Sequence, residues 1–353
     1  MSYSKMYETL SLGSDFWNDS CDPFELEEAV NEGAVGATSN PVIVAQAIEN
    51  HPEIWNQEID NIINNNSHFS EDEIAWKLIE TLGIQAANIL LPVHKKTLGK
   101  KGQLSLQVNP KYYNNTQKMI EQAKQLFSLA PNIAIKIPAT ASGLKAIETL
   151  TAQGISINVT VSFTLSQAIE SAKSIERGLS LAKQNNINLS SHASYITLMV
   201  GRLDDHLKRI MDKEKITIDP GYLNWAGIAV FKKAYRIFLD RNYTSKLLVA
   251  AFRNHLHWSE LIGENVVISM PYNWWKQFNH SNVILQRAIN NNVSSEIVQK
   301  LLEQFSDFKK AYNENELSVK DFQSFGATTH TLNQFLEGYD KLIQMIRKRM
   351  LMK

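Results

Sequence analysis

A lysine lies inside an apolar run that otherwise predicts a fully buried β-strand, Asn132 to Thr140, with the sequence NIAIKIPAT. Burying an ammonium is costly unless it is paired or has lost its proton, so Lys136 requires a specific reason. Strand alternation places Lys136 on one face with Ala134 and puts the neighbouring isoleucines on the other. Because Pro138 then ends the strand, we expect the amine near the strand's carboxyl end, where α/β enzymes build their sites.

Two further candidate strands have a polar face opposite an apolar face. They are residues 104–109 and 155–161, and their polar positions are Ser105, Gln107, Asn109, Ser156, Asn158 and Thr160. A half-buried surface strand gives the same alternation, and a lone lysine commonly keeps its head in water, so each feature alone has an ordinary explanation. Three such strands close together in the chain, with Lys136 among their polar residues, favour one enclosed polar cavity.

The elements that must position these side chains alternate between short apolar segments and helical patterns, which indicates a parallel sheet covered on both faces. The candidate strands are Asp15 to Asp19, Gly36 to Thr38, Leu104 to Val108, Ile133 to Ile137, Ile155 to Val161, about Tyr195 to Val200, Leu247 to Ala251 and Val266 to Ser269. Eight βα units in one domain of this size predict an α/β fold of the TIM-type (β/α)8 barrel, with extra helices taking up the remaining length.

Helix signals accompany the strands. Ser70 followed by Glu73 predicts a capping box, and a helix over residues 140–154 is expected to end at its glycine. The Lys/Arg-rich segment 331–351 suits a helix laid over the barrel, and the asparagine-rich residues 61–67 are interpreted as a connection between helices.

Composition limits the function classes. The 353 residues carry a formal net charge of +0 and a pI near 7.1, which argues against nucleic acid and anionic membrane as partners. The single cysteine, Cys21, excludes an internal disulfide and fits a reducing compartment. The N-terminal region lacks a signal-peptide core, and no later run approaches the ~20 apolar residues of a membrane span, so we expect a cytoplasmic protein.

Signals for cofactors and metals are weak. The chain has no G-x-G-x-x-G and no G-x-x-x-x-G-K-[ST], which argues against a bound nucleotide. His255 and His257 form an H-x-H pair, but no further ligand completes a zinc set at familiar spacing. We therefore expect neither a cofactor nor a metal, and we interpret His192, just before the sixth strand, as a structural histidine.

At this point the chain resembles the transaldolase family, specifically the longer bacterial branch related to the transaldolase part of transaldolase/phosphoglucose isomerase fusions. The resemblance covers Asp15 to Ile346, and its most specific block is Ile135 to Gln167, which contains IKIPAT and INVTVSF. The segments GATSNP at 36–41 and AAFRN at 250–254 also match. We expect a single domain, residues 1–353, without a fused isomerase.

The resemblance implies a circularly permuted barrel that carries a dihydroxyacetone unit as a Schiff base on Lys136. The unit would pass from a ketose phosphate, sedoheptulose 7-phosphate or fructose 6-phosphate, to an aldose phosphate in the pentose phosphate pathway. The expected partners are small-molecule sugar phosphates, without nucleic acid or membrane, and the chain could form a homodimer. Asp19 would be the acid/base, and Thr160 would position a water.

The resemblance also assigns the binding residues. Asn40 in TSNP and Asn158 in INVT would hold sugar hydroxyls, while Arg202 in LMVGR and Arg253 in AFRN would bind the substrate phosphate. The planar guanidinium fork offers two donors to adjacent phosphate oxygens, which is why arginine suits this task. Each arginine alone has a surface salt bridge as its ordinary explanation.

The chemistry makes matching demands. An amine must be unprotonated to attack a ketose carbonyl, yet at a pKa of ~10.4 about one lysine in a thousand is neutral at pH 7.4. A desolvated barrel interior lowers that pKa, and the iminium then accepts the electrons of the broken carbon–carbon bond. One carboxylate must take the proton of the C4 hydroxyl and return it, and Asp19 fits because Asp15 and Asp22 lie too far along the chain on either side.

Three positions depart from the family pattern. Gln107 replaces the glutamate of the third strand, and a carboxamide orients a water but cannot shuttle protons. Met199 stands where transaldolases have phenylalanine and the related fructose 6-phosphate aldolases have tyrosine, and Thr197 replaces a serine. These aldolases carry glutamine at the position of Gln107. Beside a transaldolase, the sequence therefore leaves open a fructose 6-phosphate aldolase or retuned sugar aldolase, and a non-catalytic sugar-phosphate binding protein.

Overall fold

Eight parallel strands close into a barrel in chain order in the computed structural model, which describes residues 4–352. The strands are β1 (Asp15–Asn18), β2 (Gly36–Thr38), β3 (Gln103–Gln107), β4 (Ile133–Pro138), β5 (Ile157–Thr160), β6 (Ser194–Met199), β7 (Lys246–Ala250) and β8 (Val266–Met270). Each pairs with its successor and β8 closes on β1, so the predicted TIM-type barrel is confirmed. Its circular permutation relative to other barrels stays a prediction.

Helices surround the barrel. Within the described residues they are α1 (Lys5–Ser11), α2 (Pro23–Asn31), α3 (Pro41–Asn50), α4 (Pro52–Asn65), α5 (Glu71–Lys96), α6 (Thr116–Phe127), α7 (Ala141–Thr151), α8 (Leu165–Gln184), α9 (Val200–Glu214), α10 (Ala226–Asp240), α11 (Leu256–Ser259), α12 (Tyr272–Asn279), α13 (Ser295–Gln304), α14 (Ser306–Tyr312) and α15 (Gly326–Met350). Short 3-10 helices cover Pro110–Tyr112, Pro220–Trp225 and Val319–Asp321. The predicted domain limits of 1–353 include residues 1–3 and 353, which lie outside the described part.

The local signals explain most helix ends. The Ser70 hydroxyl and the Glu73 carboxylate bond each other's backbone N–H groups, which confirms the predicted capping box of α5. Gly154 has a φ of +80°, a conformation that favours glycine, but α7 ends at Thr151, three residues before the predicted end. The prediction for residues 61–67 was wrong for its first five residues, because α4 continues to Asn65. Helix α15 begins five residues before the predicted residue 331.

Strand alternation directs the polar residues into the barrel. In β4 the isoleucines pack against the surrounding helices in the main core, whereas Lys136 lies on the opposite face. The register places Gln107 of β3 beside Lys136 and Asn158 of β5 on its other side. These polar side chains therefore lie at one level inside the barrel, as the alternation of adjacent parallel strands requires.

Helix α5 has the length and the apolar composition of a helix that crosses a membrane. The expectation that no segment has this character was therefore wrong for α5. Half of its most apolar window is buried inside the fold, and the buried residues, which include Leu78 and Leu82, pack toward β3 and the neighbouring helices. A core helix of a folded domain passes the same test, so α5 is weak evidence for a membrane.

Candidate active site

Lys136 lies in β4 and is 4% exposed. Its Nζ is 3.5 Å from the carbonyl oxygen of Ser39, the long limit of a hydrogen bond. Burial lowers the pKa of Lys136 from its usual 10.5, and nearby Arg202 lowers it further, while the negative charge of Asp19 opposes the shift. The result is an amine that loses its proton more easily than a lysine in water, which a nucleophile requires.

Asp19 follows β1 directly, and its backbone N–H donates to the carbonyl oxygen of Met270 at 2.9 Å. The Thr38 hydroxyl donates to Oδ1 of Asp19. Asp19 forms no ion pair within 4.0 Å with a described residue, and it lines a cavity of about 170 Å³. Its carboxylate therefore keeps hydrogen-bonding capacity for another molecule.

Gln107 and Thr160 flank the lysine with polar atoms that have no partner. Gln107 is paired in register with Lys136, and Thr160 is paired with Pro138 one level further along. Oε1 of Gln107 and Oγ1 of Thr160 are buried without a hydrogen-bond partner, as are the hydroxyls of Ser162 and Ser269. Leaving a buried polar atom unbonded costs about 1–3 kcal/mol, so these atoms indicate a place for a water or a polar ligand.

Asn158 and Thr197 form a fixed pair inside the barrel. The Thr197 hydroxyl donates to Oδ1 of Asn158 at 2.7 Å, and Nδ2 of Asn158 donates to the Ser105 hydroxyl at 3.0 Å. These bonds set the orientation of the amide and leave one of its N–H groups for a sugar hydroxyl. Thr197 stands where the family has a serine and keeps the hydroxyl group. This hydroxyl holds Asn158 in place.

Asn40 caps α3 after β2. Its Oδ1 accepts hydrogen bonds from the backbone N–H groups of Val42 and Ile43 at 2.9 and 3.0 Å. The cap uses the oxygen of the amide and fixes the side chain, so the donors on Nδ2 are what Asn40 can offer a ligand.

Arg202 lies in the first turn of α9, directly after β6. Its Nη1 donates to the hydroxyl of Thr331 at 3.3 Å and to the amide oxygen of Gln334. The guanidinium carbon of Arg202 lies 5.6 Å from the centre of the Phe335 ring. Burial, with repulsion from Arg253, lowers the pKa of Arg202 to about 10. Arg202 has no carboxylate bound to it within 4.0 Å among the described residues, which leaves its charge for an anion.

Arg253 follows β7 and is exposed. Its Nη2 pairs with Asp205 at 2.8 Å, and its Nη1 donates to the carbonyl oxygen of Phe252. The ordinary explanation, a surface salt bridge, is thus present at Arg253 but not at Arg202. Met199 is buried at the end of β6, in the strand that leads to Arg202.

Several neighbours of the site were not predicted from the sequence. Thr38 and Ser39 lie in the GATSNP segment, so the motif itself signalled them. Cys21 donates to the Ser39 hydroxyl at 3.4 Å, and burial raises the pKa of its thiol to about 12, which keeps it neutral. Thr331 and Gln334 had no local signal, because they lie in a helix remote in sequence from Arg202.

The histidines are bound to protein groups. Nε2 of His257 lies 2.8 Å from Oδ2 of Asp204, and its Nδ1 accepts the backbone N–H of Arg253 at 3.1 Å. His192 contacts the carbonyl oxygen of Gly154 at 3.4 Å, and burial lowers its pKa. No group of three or more His, Cys, Asp and Glu side chains suited to a metal occurs between residues 4 and 352.

A closed (β/α)8 barrel with a desolvated lysine and a carboxylate at the carboxyl ends of its strands is the arrangement of a barrel enzyme. The chain belongs to the family described as Transaldolase/Fructose-6-phosphate aldolase, whose model matches residues 16–345. The family assignment made from the sequence is therefore confirmed.

Individual relatives agree with the family model. Transaldolase 2 of Streptomyces avermitilis is 30% identical over 260 residues, which cover 67% of this chain and 69% of the relative. Transaldolase 2 of Streptomyces coelicolor is 35% identical over 58% of this chain and 55% of its own length. Transaldolase of Thermobifida fusca is 35% identical over 53% of this chain and 50% of its own length. The matched regions thus span between half and about two thirds of these relatives.

The names of these relatives favour a transaldolase over an aldolase or a non-catalytic binding protein. Transaldolase and sugar-phosphate chemistry are thereby supported at the level of the family. The roles of the individual site residues, the oligomeric state and the absence of nucleic acid and membrane partners stay predictions.

Proposed function

We propose that the protein is a transaldolase that carries a dihydroxyacetone unit as a Schiff base on Lys136 and transfers it from a ketose phosphate to an aldose phosphate. The observation that supports the proposal is the desolvated amine of Lys136 at the carboxyl end of the barrel. Burial lowers its pKa, and Asp19 is near enough for its negative charge to oppose that shift. Around both residues, buried polar atoms without partners provide hydrogen-bonding sites for a hydroxylated substrate.

Imine formation begins when the neutral amine of Lys136 attacks the C2 carbonyl of the ketose. The carbinolamine then loses its oxygen as water, which requires proton transfers next to the lysine. The Thr160 hydroxyl and the Gln107 amide oxygen supply hydrogen bonds to that water, since both atoms lack protein partners. Because Gln107 cannot itself carry a proton, the water and Asp19 move the protons in this step.

Bond cleavage follows at C3 and C4. Asp19 takes the proton from the C4 hydroxyl, the C3–C4 bond breaks, and its electron pair enters the iminium to form an enamine while the aldose leaves. The acceptor aldose then enters, the enamine carbon attacks its aldehyde, and Asp19 returns the proton to the new hydroxyl. Hydrolysis of the imine releases the new ketose and restores Lys136.

Substrate binding is divided between hydroxyl and phosphate groups. Nδ2 of Asn40 and the free N–H of Asn158 donate to hydroxyls of the dihydroxyacetone unit. Arg202 binds the phosphate. Arg253 assists it, dividing its hydrogen-bond donors between the phosphate and Asp205. Met199 forms the wall between the hydroxyl-binding asparagines and the phosphate-binding arginines. The donor substrate is sedoheptulose 7-phosphate or fructose 6-phosphate. We propose that this reaction belongs to the pentose phosphate pathway and that the protein acts in the cytoplasm.

Borohydride trapping tests the covalent step. Incubation with fructose 6-phosphate and borohydride should add the mass of a reduced dihydroxyacetone unit to the peptide that contains Lys136. A protein that binds the sugar without turnover gives no adduct, and an adduct on another lysine would assign the nucleophile elsewhere.

An acceptor test separates transfer from simple aldol cleavage. For a transaldolase, consumption of fructose 6-phosphate should depend on erythrose 4-phosphate or another aldose, because the enamine must be discharged onto an acceptor. The observation that keeps aldol cleavage as the second candidate is Gln107, which the related aldolases share. Cleavage that proceeds equally fast without any aldose would make the enzyme an aldolase.

A further inference from the structure

A second cavity, with a volume of about 610 Å³, lies outside the barrel between α10, α13 and α14. We call it the basic cavity, because its lining includes the side chains of Lys232, Lys233 and Arg236. Its volume is within the range of small-molecule sites in proteins. None of its lining residues belongs to a barrel strand or to the surroundings of Lys136.

Lys232 has a structural role at the inner wall of the basic cavity. Its Nζ donates to the carboxylate of Glu260 at 2.7 Å and to the carbonyl oxygens of Ala288 and Asn291 at 2.9 and 3.1 Å. Three acceptors satisfy the three donors of an ammonium, so this lysine ties the segment after β8 to α10. The other two cations of the lining, Lys233 and Arg236, have no such role.

Lys233 and Arg236 are not satisfied in this way. Nζ of Lys233 lies 4.0 Å from the ring centre of Tyr312, and burial lowers the pKa of Lys233 more than the charge of Glu314 raises it. Glu314 itself pairs with Arg241 through both carboxylate oxygens. The side chain of Arg236 makes no hydrogen bond or ion pair with any residue that the structure describes. Two cations therefore border one cavity without a carboxylate of their own.

The positive charges also repel each other. Burial lowers the pKa of Lys232, its bond to Glu260 opposes that shift, and the charge of Arg236, four residues later on the same face of α10, lowers the pKa a little further. An anion in the cavity would remove this repulsion and give both free cations a partner. Ser294 and Ser295 line the same cavity at the start of α13, where no side chain caps the first turn. Their hydroxyls and the uncapped first backbone N–H groups of α13 add donors to the cavity's lining.

We propose that the basic cavity binds a small phosphate-bearing molecule at a site separate from the barrel. Arg236 supplies the guanidinium fork to the phosphate, and Lys233 supplies a second positive charge held in place by the ring of Tyr312. The apolar side chains of Val298 and Leu302, which line the same cavity, contact the remainder of the molecule.

Labelling with pyridoxal 5′-phosphate tests the site on the intact protein, because its aldehyde forms an imine with a lysine adjacent to the site that holds its phosphate. After borohydride reduction, peptide mapping gives for each lysine the ratio of its labelling rate with pyridoxal 5′-phosphate to that with pyridoxal, which as a cyclic hemiacetal labels every lysine more slowly. This ratio should be at least about tenfold higher for Lys233 than for Lys118. Inorganic phosphate should protect Lys233. Lys118 is the matched control, since its Nζ also lies over a tyrosine ring, 5.4 Å from the centre of Tyr112.

The variant Arg236→Gln keeps an exposed polar side chain and should bring the ratio of labelling rates at Lys233 down to that at Lys118, without changing the ratio at Lys118. Lys136 reports on the barrel in the same digest, so the two sites are read separately. A ratio at Lys233 equal to that at Lys118, no protection by phosphate, or a raised ratio that survives Arg236→Gln would overturn the proposal.

Discussion

The two ends of the barrel interior differ in how fully their side chains are satisfied. At the amino end the rings of Trp17 and Tyr195 lie 4.7 Å apart within an apolar cluster, and the Tyr195 hydroxyl donates to Gln103 at 2.9 Å. At the carboxyl end the amine of Lys136 and the side-chain oxygens of Gln107 and Thr160 are buried with weak partners or none. The same strands therefore provide a closed plug at one end and an open polar site at the other.

Strand β1 shows the contrast in two carboxylates. Asp15, at the amino end, is held by Lys101 at 2.6 Å and Lys246 at 3.1 Å. Asp19, at the carboxyl end, has a hydroxyl partner and no ion pair with a described residue. A paired carboxylate is a structural group, whereas an unpaired one beside a desolvated amine is available for proton transfer.

The largest expected effect is that of Lys136→Met. Transfer should fall by more than about a thousandfold and borohydride trapping should vanish, because no other side chain at this end is a nucleophilic amine. The protein should remain folded, since methionine fills the space without a charge to desolvate. Steady-state kinetics and circular dichroism measure both. Turnover retained by the variant would remove Lys136 from the mechanism.

Leu248→Ala should have the converse effect at the amino end. Leu248 is fully buried in the apolar cluster with Trp17 and Val267, so its truncation should lower the free energy of unfolding by about 2–5 kcal/mol. The rate per folded molecule should change little, because the cluster holds no reacting group. Denaturant titration and active-site titration check this. A large loss of rate with intact stability would show that the two ends are not separate.

Gln107→Glu should sharpen the carboxyl end by giving it a proton-carrying group. The transfer rate should rise by about tenfold, less than the roughly 10²–10⁴-fold contributed by a general acid–base group, because Asp19 and the water already move protons in this site. Gln103→Glu is the matched control, because Gln103 is engaged by Tyr195 and by the carbonyl oxygen of Gly99. That change should reduce stability without raising the rate. An unchanged or lower rate for Gln107→Glu would mean that the pocket is adapted to the amide.

Gln334→Ala should weaken phosphate binding by releasing the guanidinium of Arg202. We expect the KM for fructose 6-phosphate to rise about three- to tenfold, the net value of one ordinary hydrogen bond, because Arg202 keeps its bond to Thr331. The KM for unphosphorylated fructose should be unchanged. Asn333→Ala is the control, since Asn333 bonds Glu337 instead. Equal effects of Gln334→Ala on both sugars would exclude a role in phosphate binding.

The smallest effect is a pH dependence of stability. Because the pKa of Lys136 is lowered by burial, the unfolded chain binds more protons than the folded one between that lowered pKa and 10.5. The stability of the wild type should therefore rise with pH through this window, a rise that Lys136→Met lacks. Denaturant titrations at increasing pH should show the variant's advantage narrowing. A constant difference would mean that Lys136 is not desolvated.

The eight strands, and the inward face of three of them, could be predicted from the sequence. Alternation in β3, β4 and β5 identified the polar residues around Lys136, and each predicted strand end lies within two residues of the observed one. The reason is physical: side-chain direction in a strand repeats every second residue, so local sequence determines which side chains share a face.

The tertiary structure alone decided how each of these groups is satisfied. The partners of Arg202 lie 129 and 132 residues away on α15, and the pairing of Arg253 with Asp205 depends on how α9 meets the end of β7. The desolvation of Lys136 and the unpartnered oxygens beside it likewise arise only when the barrel closes. Periodicity is a local property, whereas burial and pairing depend on the packing of segments that are remote in sequence.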